Sequence, residues 1–399
     1  MSEAKITTVP NPGPFKVPAR LNQVLIALGA LGIIAFLFGL KVDAQRAWSA
    51  WLLGYVFFLF WGLCGLFFTA LHHATGAAWS TVVRRISEGM ASYLPVAALL
   101  FLALIVGSGK IYAWAHPEMA HIEPPLGADK LFYLSQTFFS IRNLLFLGIW
   151  ILFAVILIKN SLKQDQTGEA SISRKSAKLS VVFFPVFGIT FTLAVFDLTM
   201  SLEPKWYSTI FGVYCFAGLF QSGMAFLAIL AIWMRRRGLL EGIFNANHLQ
   251  DIGNFMFAFA VFSAYIGFSQ YMLIWYANMP EETFYLITRK TGPWGFVFLS
   301  TVFLRFFIPF FLLMGRDAKR NEKTMLLGAA VIILGEFLDI YLMIGPVVNP
   351  QKPLFGWIEL GTFLGFLGIF GATLARFYGK HSILAARDPH ILASLNWKQ

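Results

Sequence analysis

Long apolar runs alternate with short polar breaks along almost all of the 399 residues. A helix needs about 20 predominantly apolar residues to cross the hydrocarbon core of a bilayer. Ten runs qualify: residues 22–40, 48–72, 90–112, 132–158, 178–201, 206–234, 251–276, 294–314, 325–345 and 355–377. The breaks between them hold the Gly, Pro, Asn and charged residues that end helices. The pattern predicts an all-α polytopic membrane protein with about ten transmembrane helices. A polar segment, residues 1–21, precedes the helical domain of residues 22–378, and a polar tail, residues 379–399, follows it. The first run has no small-residue cleavage pattern behind it and reads as a retained helix rather than a signal peptide.

One break organises the rest. Residues 194–214, AVFDLTMSLEPKWYSTIFGVY, join two long runs through a short polar hinge near the middle of the chain. Glu203, Pro204 and Lys205 form the turn, and Trp206 and Tyr207 open the next run. The even helix count and central hinge suggest two four-helix bundles, about 48–201 and 206–345, with the first and last helices peripheral. The sequence signal for a repeat between the two halves is weak, and a transporter-like inverted repeat stays open.

Composition supports a lipid-solvated chain: 58% of residues are hydrophobic and 13% charged, against roughly 25% charged in soluble domains. The net charge of +11 does not mark a nucleic-acid surface, because the cations sit in short breaks between apolar runs. With the N-terminus inside, 21 of the 31 Lys and Arg fall on the cytoplasmic side and 8 on the other, and Arg142 and Arg305 lie within runs. This bias predicts that both termini are cytoplasmic. The longest inner connection, residues 159–178, reads as a basic polar linker. The longest outer connections, residues 115–130 and 278–293, are the expected docking surfaces for an extracytoplasmic partner.

Redox chemistry has little to build on. The two cysteines, Cys64 and Cys215, lie in separate apolar runs, so no C-x-x-C exists for an iron–sulfur cluster or covalent haem. The histidines are His72, His73, His116, His121, His248, His381 and His390. Only His72 and His73 border a run, and adjacent residues do not supply the facing imidazoles of a b-type haem. No metal site is expected.

Buried charge is the stronger signal, since ionisable groups at membrane depth usually have a partner or a task. Asp197 ends the fifth run, Glu336 and Asp339 share one face of the ninth at i, i+3 spacing, and Glu359 opens the tenth. Arg142 and Arg305 are the matching cations. These groups suit a proton path; equally, the two arginines can neutralise the acids and pin helices together. In the seventh run Tyr265, Ser269, Met272 and Tyr276 follow a 4-3-4 spacing, with Gln270 and Ser263 nearby. They offer a hydroxyl relay or simple interhelical hydrogen bonds. His72 and His73, near Arg84, Arg85 and Glu88, suit a cytoplasmic proton entrance; equally, Arg84 and Arg85 suit a lipid-headgroup contact. The candidate path is therefore Asp197, Glu336, Asp339, Glu359, Arg305, Arg142, His72, His73, Tyr265, Ser269 and Gln270.

Three segments carry a family resemblance: FDLTMSLEPKWYSTIFGVYCFAG (196–218), FSQYMLIWYANMPEET (268–283) and LHHATGAAWSTVVRRISEGM (71–90). Together they resemble the ActF-type membrane subunits of bacterial alternative complex III, which are similar to the NrfD-type anchors of polysulfide and nitrite reductases. The likeness covers nearly the whole chain in length and helix count. It implies a bacterial inner-membrane location and two four-helix bundles. It implies assembly with a homologous, ActC-like membrane subunit and with extracytoplasmic subunits carrying iron–sulfur clusters and c-type haems, in a complex that oxidises quinol and reduces cytochrome c. This chain would then carry no redox cofactor of its own. Lipids and quinol are its expected small partners, and Asp197, Asp339 and Glu359 could line a quinol pocket or the outer half of a proton path. The alternatives are a stand-alone proton-coupled secondary transporter and a purely structural anchor.

Overall fold

The computed structural model describes residues 7–10, 12–116 and 127–398. Among these residues ten helices are long and apolar enough to cross a membrane: α1 (Ala19–Val42), α2 (Ala44–Thr75), α3 (Thr81–Ile111), α4 (Gln136–Thr167), α5 (Ala170–Leu202), α6 (Phe211–Arg236), α7 (Ala246–Ala277), α8 (Gly292–Leu313), α9 (Glu322–Val348) and α10 (Trp357–Lys380). No strand occurs among the described residues. The protein is an all-α, multi-pass membrane protein.

Side chains fix several helix ends. Asp43 accepts from the Arg46 amide at 3.0 Å before α2. Asn245 accepts from the Asn247 and His248 amides at 2.8 and 3.2 Å before α7. Such caps satisfy amides that have no partner within the helix. Gly76 closes α2 at φ 64°, a left-handed conformation that glycine adopts without steric penalty.

The helices depart from the hydropathy boundaries for identifiable reasons. α3 starts at Thr81 rather than near residue 90, because Arg84, Arg85, Ser87 and Glu88 are buried against polar partners. The 159–178 linker is almost entirely helical and breaks only around Gly168 and Glu169. α6 begins at Phe211, after Trp206 has left the helical path to stack on Tyr285 at 3.7 Å. The 278–293 connection contains a helix, Pro280–Lys290, with acids in its first turn and bases in its last, matching the helix dipole. In the other long connection residues 117–126, including His121, lie outside the described residues, and the chain resumes before a short helix, Ala128–Tyr133.

α2, α3, α4 and α5 pack as one bundle and α6, α7, α8 and α9 as another. α2 lies at the centre and touches α6, α9 and α10 as well as its own bundle. Its sequence is apolar all round, as a helix surrounded by others requires. α1 lies outside the bundles and pairs with α10. Gly32 and Gly365 let these backbones meet: a Cβ on Gly32 would stand 2.1 Å from the Gly365 Cα. Small residues permit this approach between membrane helices. The chain ends meet on one face, where the Phe15 amide donates to Tyr378 O at 2.9 Å and the Ile383 amide to Gly13 O at 3.2 Å. We call this the terminal side and the opposite face the far side.

Candidate functional site

A cavity of about 460 Å³ lies within the second bundle. Tyr214 of α6, Ser263 and Gln270 of α7, Arg305 of α8 and Asp339 of α9 supply its polar groups, together with Arg289 from the Pro280–Lys290 helix. Phenylalanines form much of the remaining wall.

The backbone is shaped to place Arg305. α8 contains a π-helical turn, Phe303–Phe307, centred on it. Such turns widen a helix and are frequent at functional sites. The Gln221 amide donates to Arg305 O at 2.8 Å, and Ser263 Oγ donates to Gln221 Oε1 at 3.2 Å. The irregular turn therefore has its carbonyl partner supplied by α6. Gly218 makes room for the cluster, since a Cβ there would lie 2.4 Å from Glu336 Oε1.

Around Arg305 three side chains converge. Its Nη1 donates to Asp339 Oδ2 and to the Tyr214 hydroxyl at 2.9 Å. Tyr214 in turn donates to Asp339 Oδ1 at 2.6 Å. Arg305 Nε lies 3.3 Å from Glu336 Oε2, within ion-pair distance but out of line for a hydrogen bond. Glu336 Oε2 and Arg305 Nη2 thus have no hydrogen-bond partner among the described residues, although both are buried. Two carboxyl groups face one guanidinium. Uncompensated charge is expensive in such a setting, so the neutral form of the cluster holds one proton between Glu336 and Asp339.

The far-side end of the cavity is tied to the central hinge. Arg289 Nη2 pairs with Glu203 at 2.9 Å, and its nitrogens donate to Leu342 O and Met343 O, each at 3.0 Å. Its guanidinium carbon lies 3.5 Å from the centre of the Tyr285 ring, whose other neighbour is Trp206. Burial holds the Tyr285 phenol above its ordinary range. Toward the side, the first half of α8 packs on α9 while α7 meets α8 from the π turn onward. Phe268 and Phe307 both line the cavity and are 63% and 39% exposed. The cavity therefore opens laterally between α7 and α8, toward lipid.

The other expected site residues fall into separate places. In the first bundle Arg142 donates to Asp197 through Nε at 2.8 Å and Nη2 at 2.7 Å, and Asn143 Nδ2 donates to the same carboxylate at 2.8 Å. The Tyr133 ring covers the guanidinium at 3.7 Å. This pair is fully satisfied. Glu359, on the far side, accepts from Arg46 Nε at 2.5 Å, Arg46 Nη2 at 2.7 Å and the Gly356 amide at 2.7 Å. It joins α2 to α10 and caps α10. His72 and His73 are buried at the terminal-side end of α2; His72 Nδ1 bonds Phe68 O at 2.8 Å, while His73 Nε2 has no partner among the described residues.

The structure thus gathers Glu336, Asp339, Arg305 and Gln270, and separates the rest. The proposed relay face of α7 turns outward: Tyr265 is 65% exposed, Met272 and Tyr276 are exposed and Ser269 is half-buried. The opposite face, with Ser263 and Gln270, lines the cavity. Sequence reasoning did not single out Tyr214, Arg289 or Gln221 for the site. A lone glutamine in the apolar run of α6 was the available signal for Gln221. Neither a protein-family model nor a curated protein matches the chain.

Proposed function

We propose that this chain is a membrane subunit of a quinol:cytochrome c oxidoreductase of the alternative complex III type, in a bacterial inner membrane with both termini cytoplasmic. In this reading the Tyr214–Arg305–Glu336–Asp339 cluster exchanges protons with a quinol that reaches the cavity from the bilayer. One observation carries the proposal: two buried carboxyls share a single guanidinium, with unpartnered polar atoms, at a cavity open to lipid. Accepting one proton brings this site to neutrality, and passing it on leaves one buried negative charge that favours taking up the next. Flat apolar walls suit a quinol ring, and the Gln270 amide and Arg305 Nη2 suit its oxygens. The resemblance of residues 71–90, 196–218 and 268–283 supports the same assignment. Electrons would leave to iron–sulfur clusters and c-type haems of extracytoplasmic subunits, beside a homologous membrane subunit.

The test uses the intact complex in liposomes, comparing wild type with Glu336→Gln, which removes the surplus carboxyl and leaves Arg305 paired with Asp339. We expect assembly to be retained while quinol oxidation and proton release fall together, by about a hundredfold or more, the usual range for a lost acid–base group. Proton release falling alone would leave the cluster on a proton route and remove quinol from the cavity. No change in either would leave only a structural anchor. A stand-alone transporter would instead purify without haem- or cluster-bearing partners.

A further inference from the structure

The C-terminal segment, residues 381–398, does not run away from the bundle. It folds back across the terminal side and is fastened at both bundles. On the first bundle, Arg84 of α3 pairs with Asp388, both nearly inaccessible. Ser394 Oγ donates to Trp79 O at 2.7 Å and accepts from the Val82 amide at 3.3 Å. Arg387 Nη1 donates to Gln166 O at the end of α4 at 2.5 Å. On the second bundle, His248 Nε2 bonds Ser394 O at 3.0 Å. The Asn245 and Asn247 side chains donate to Trp397 O at 3.3 and 3.0 Å, and Trp397 Nε1 donates to Asp251 at 2.8 Å. Ile383, Leu384, Ile391 and Leu395 are buried along the way.

Beneath this segment lies the end of α2 that carries His72 and His73. His73 is buried, its Nε2 lacks a partner, and the charges of Asp388 and His390 reach it. Its burial this close to the aqueous face, 7% exposed at two residues from the end of α2, means that the surrounding protein keeps bulk water from it. His72 packs on Trp79 and on Phe255 of α7, and the C-terminal segment covers this end through the Ser394 bonds to Trp79 and Val82 and the Asp388 pair with Arg84.

We propose that residues 381–398 form a seal, which clasps the two bundles together on the terminal side and shields the His72–His73 end of α2 from water. When the seal leaves, that end of α2 becomes the open mouth of the first bundle. This holds whichever chemistry the second bundle performs, and it separates a removable cover from a fixed helical core.

Thiol accessibility in the purified full chain tests the idea. A His73→Cys thiol is reacted with a membrane-impermeant maleimide, and buried Cys64 and Cys215 report unfolding in the same tube. With the segment seated, the new thiol should be protected. Combining His73→Cys with Asp388→Asn and Ser394→Ala, or ending the chain after Lys380, should raise its labelling rate about tenfold or more, as a local opening does, with Cys64 and Cys215 still unreacted. Rapid labelling in the otherwise intact chain overturns the proposal. So does continued protection in a shortened chain whose Cys64 and Cys215 stay unreacted. Should the shortened chain unfold, the Asp388→Asn, Ser394→Ala pair decides by the same readout.

Discussion

Asp197→Ala tests whether the first bundle rests on its buried ion pair. The substitution removes the acceptor of three bonds at once, from Arg142 Nε, Arg142 Nη2 and Asn143 Nδ2. It leaves a guanidinium in the bundle interior. Removing one partner of a buried pair costs about 3–5 kcal/mol. Arg142 keeps Tyr133 O, at 3.2 and 3.3 Å, and the face of the Tyr133 ring, which offset about 1 kcal/mol of this. The expected loss is therefore about 3 kcal/mol, roughly a 150-fold change in the folded-to-unfolded ratio. The double variant Arg142→Met, Asp197→Leu removes both charges and keeps the volume, so it should lie within about 1 kcal/mol of wild type. With the single variants Asp197→Leu and Arg142→Met as the other corners, the two sites should couple by about 2 kcal/mol or more in a double-mutant cycle. Equilibrium unfolding in mixed micelles, followed by far-UV circular dichroism, measures each variant. A loss below about 1 kcal/mol for Asp197→Ala, or a double variant no more stable than the single, would refute the reasoning.

Two further outcomes follow from packing and charge. Gly365→Leu should detach α1, because a Cβ at that position already meets the Gly32 Cα at 2.7 Å; disulfide trapping between cysteines placed on α1 and α10 should be lost, and its persistence would contradict the close-contact reading. Burial raises the Asp388 carboxyl, but Arg84 and the His390 amide outweigh it and hold Asp388 below the ordinary carboxylate range. The other charges around it are Asp165 of α4, His73 of α2 and His390. Since the folded group is depressed, its stabilisation is complete above the unfolded value near about 3.9 and lost as pH falls through the lower folded value. Hydrogen exchange of the 381–398 peptide, corrected for intrinsic rates, should hold its protection from neutral pH down to about 4 and lose it below; fading already between neutrality and about 5 would point to a histidine instead.

The spans were legible because lipid imposes a length and a composition that survive any packing arrangement. Hydropathy failed where polar residues face inward. Thr81 to Glu88 reads as a loop, yet Arg85 is buried and bonds Glu88 at 2.6 Å and Asp165 at 2.5 Å, so its partners and not water solvate it. The acids and arginines of the site were also visible, because a charge inside an apolar run stands out. Their pairing was not, since Arg142 with Asp197 and Arg305 with Asp339 are choices of helix neighbour and rotation. The same rotation explains α7. Both Ser269 and Gln270 are polar in the run, and only the turn of the helix decides that Gln270 meets the cavity. The π turn around Arg305 has no sequence signature in FLRFF that separates it from an ordinary helical turn.

The two bundles use the same pair of residue types on corresponding helices, an arginine on the third and an aspartate on the fourth, with different consequences. In the first bundle the carboxylate and guanidinium match one to one, and Asn143 and Tyr133 fill the remaining valences. Nothing there changes charge without a large penalty, so the pair serves to position helices. In the second bundle a further acid, Glu336, breaks the match. Gly218 removes the side chain that would fill the space beside it, and the π turn aims Arg305 at a cavity. An ion pair with a surplus acid is less stable than a matched one, since one carboxyl must be neutral or strained. On the function proposed above, such an arrangement beside the cavity serves a proton that arrives and leaves. The surplus carboxyl, and not the arginine–aspartate pair itself, is therefore what distinguishes the cluster of the second bundle from that of the first, and the proposed proton exchange rests on it.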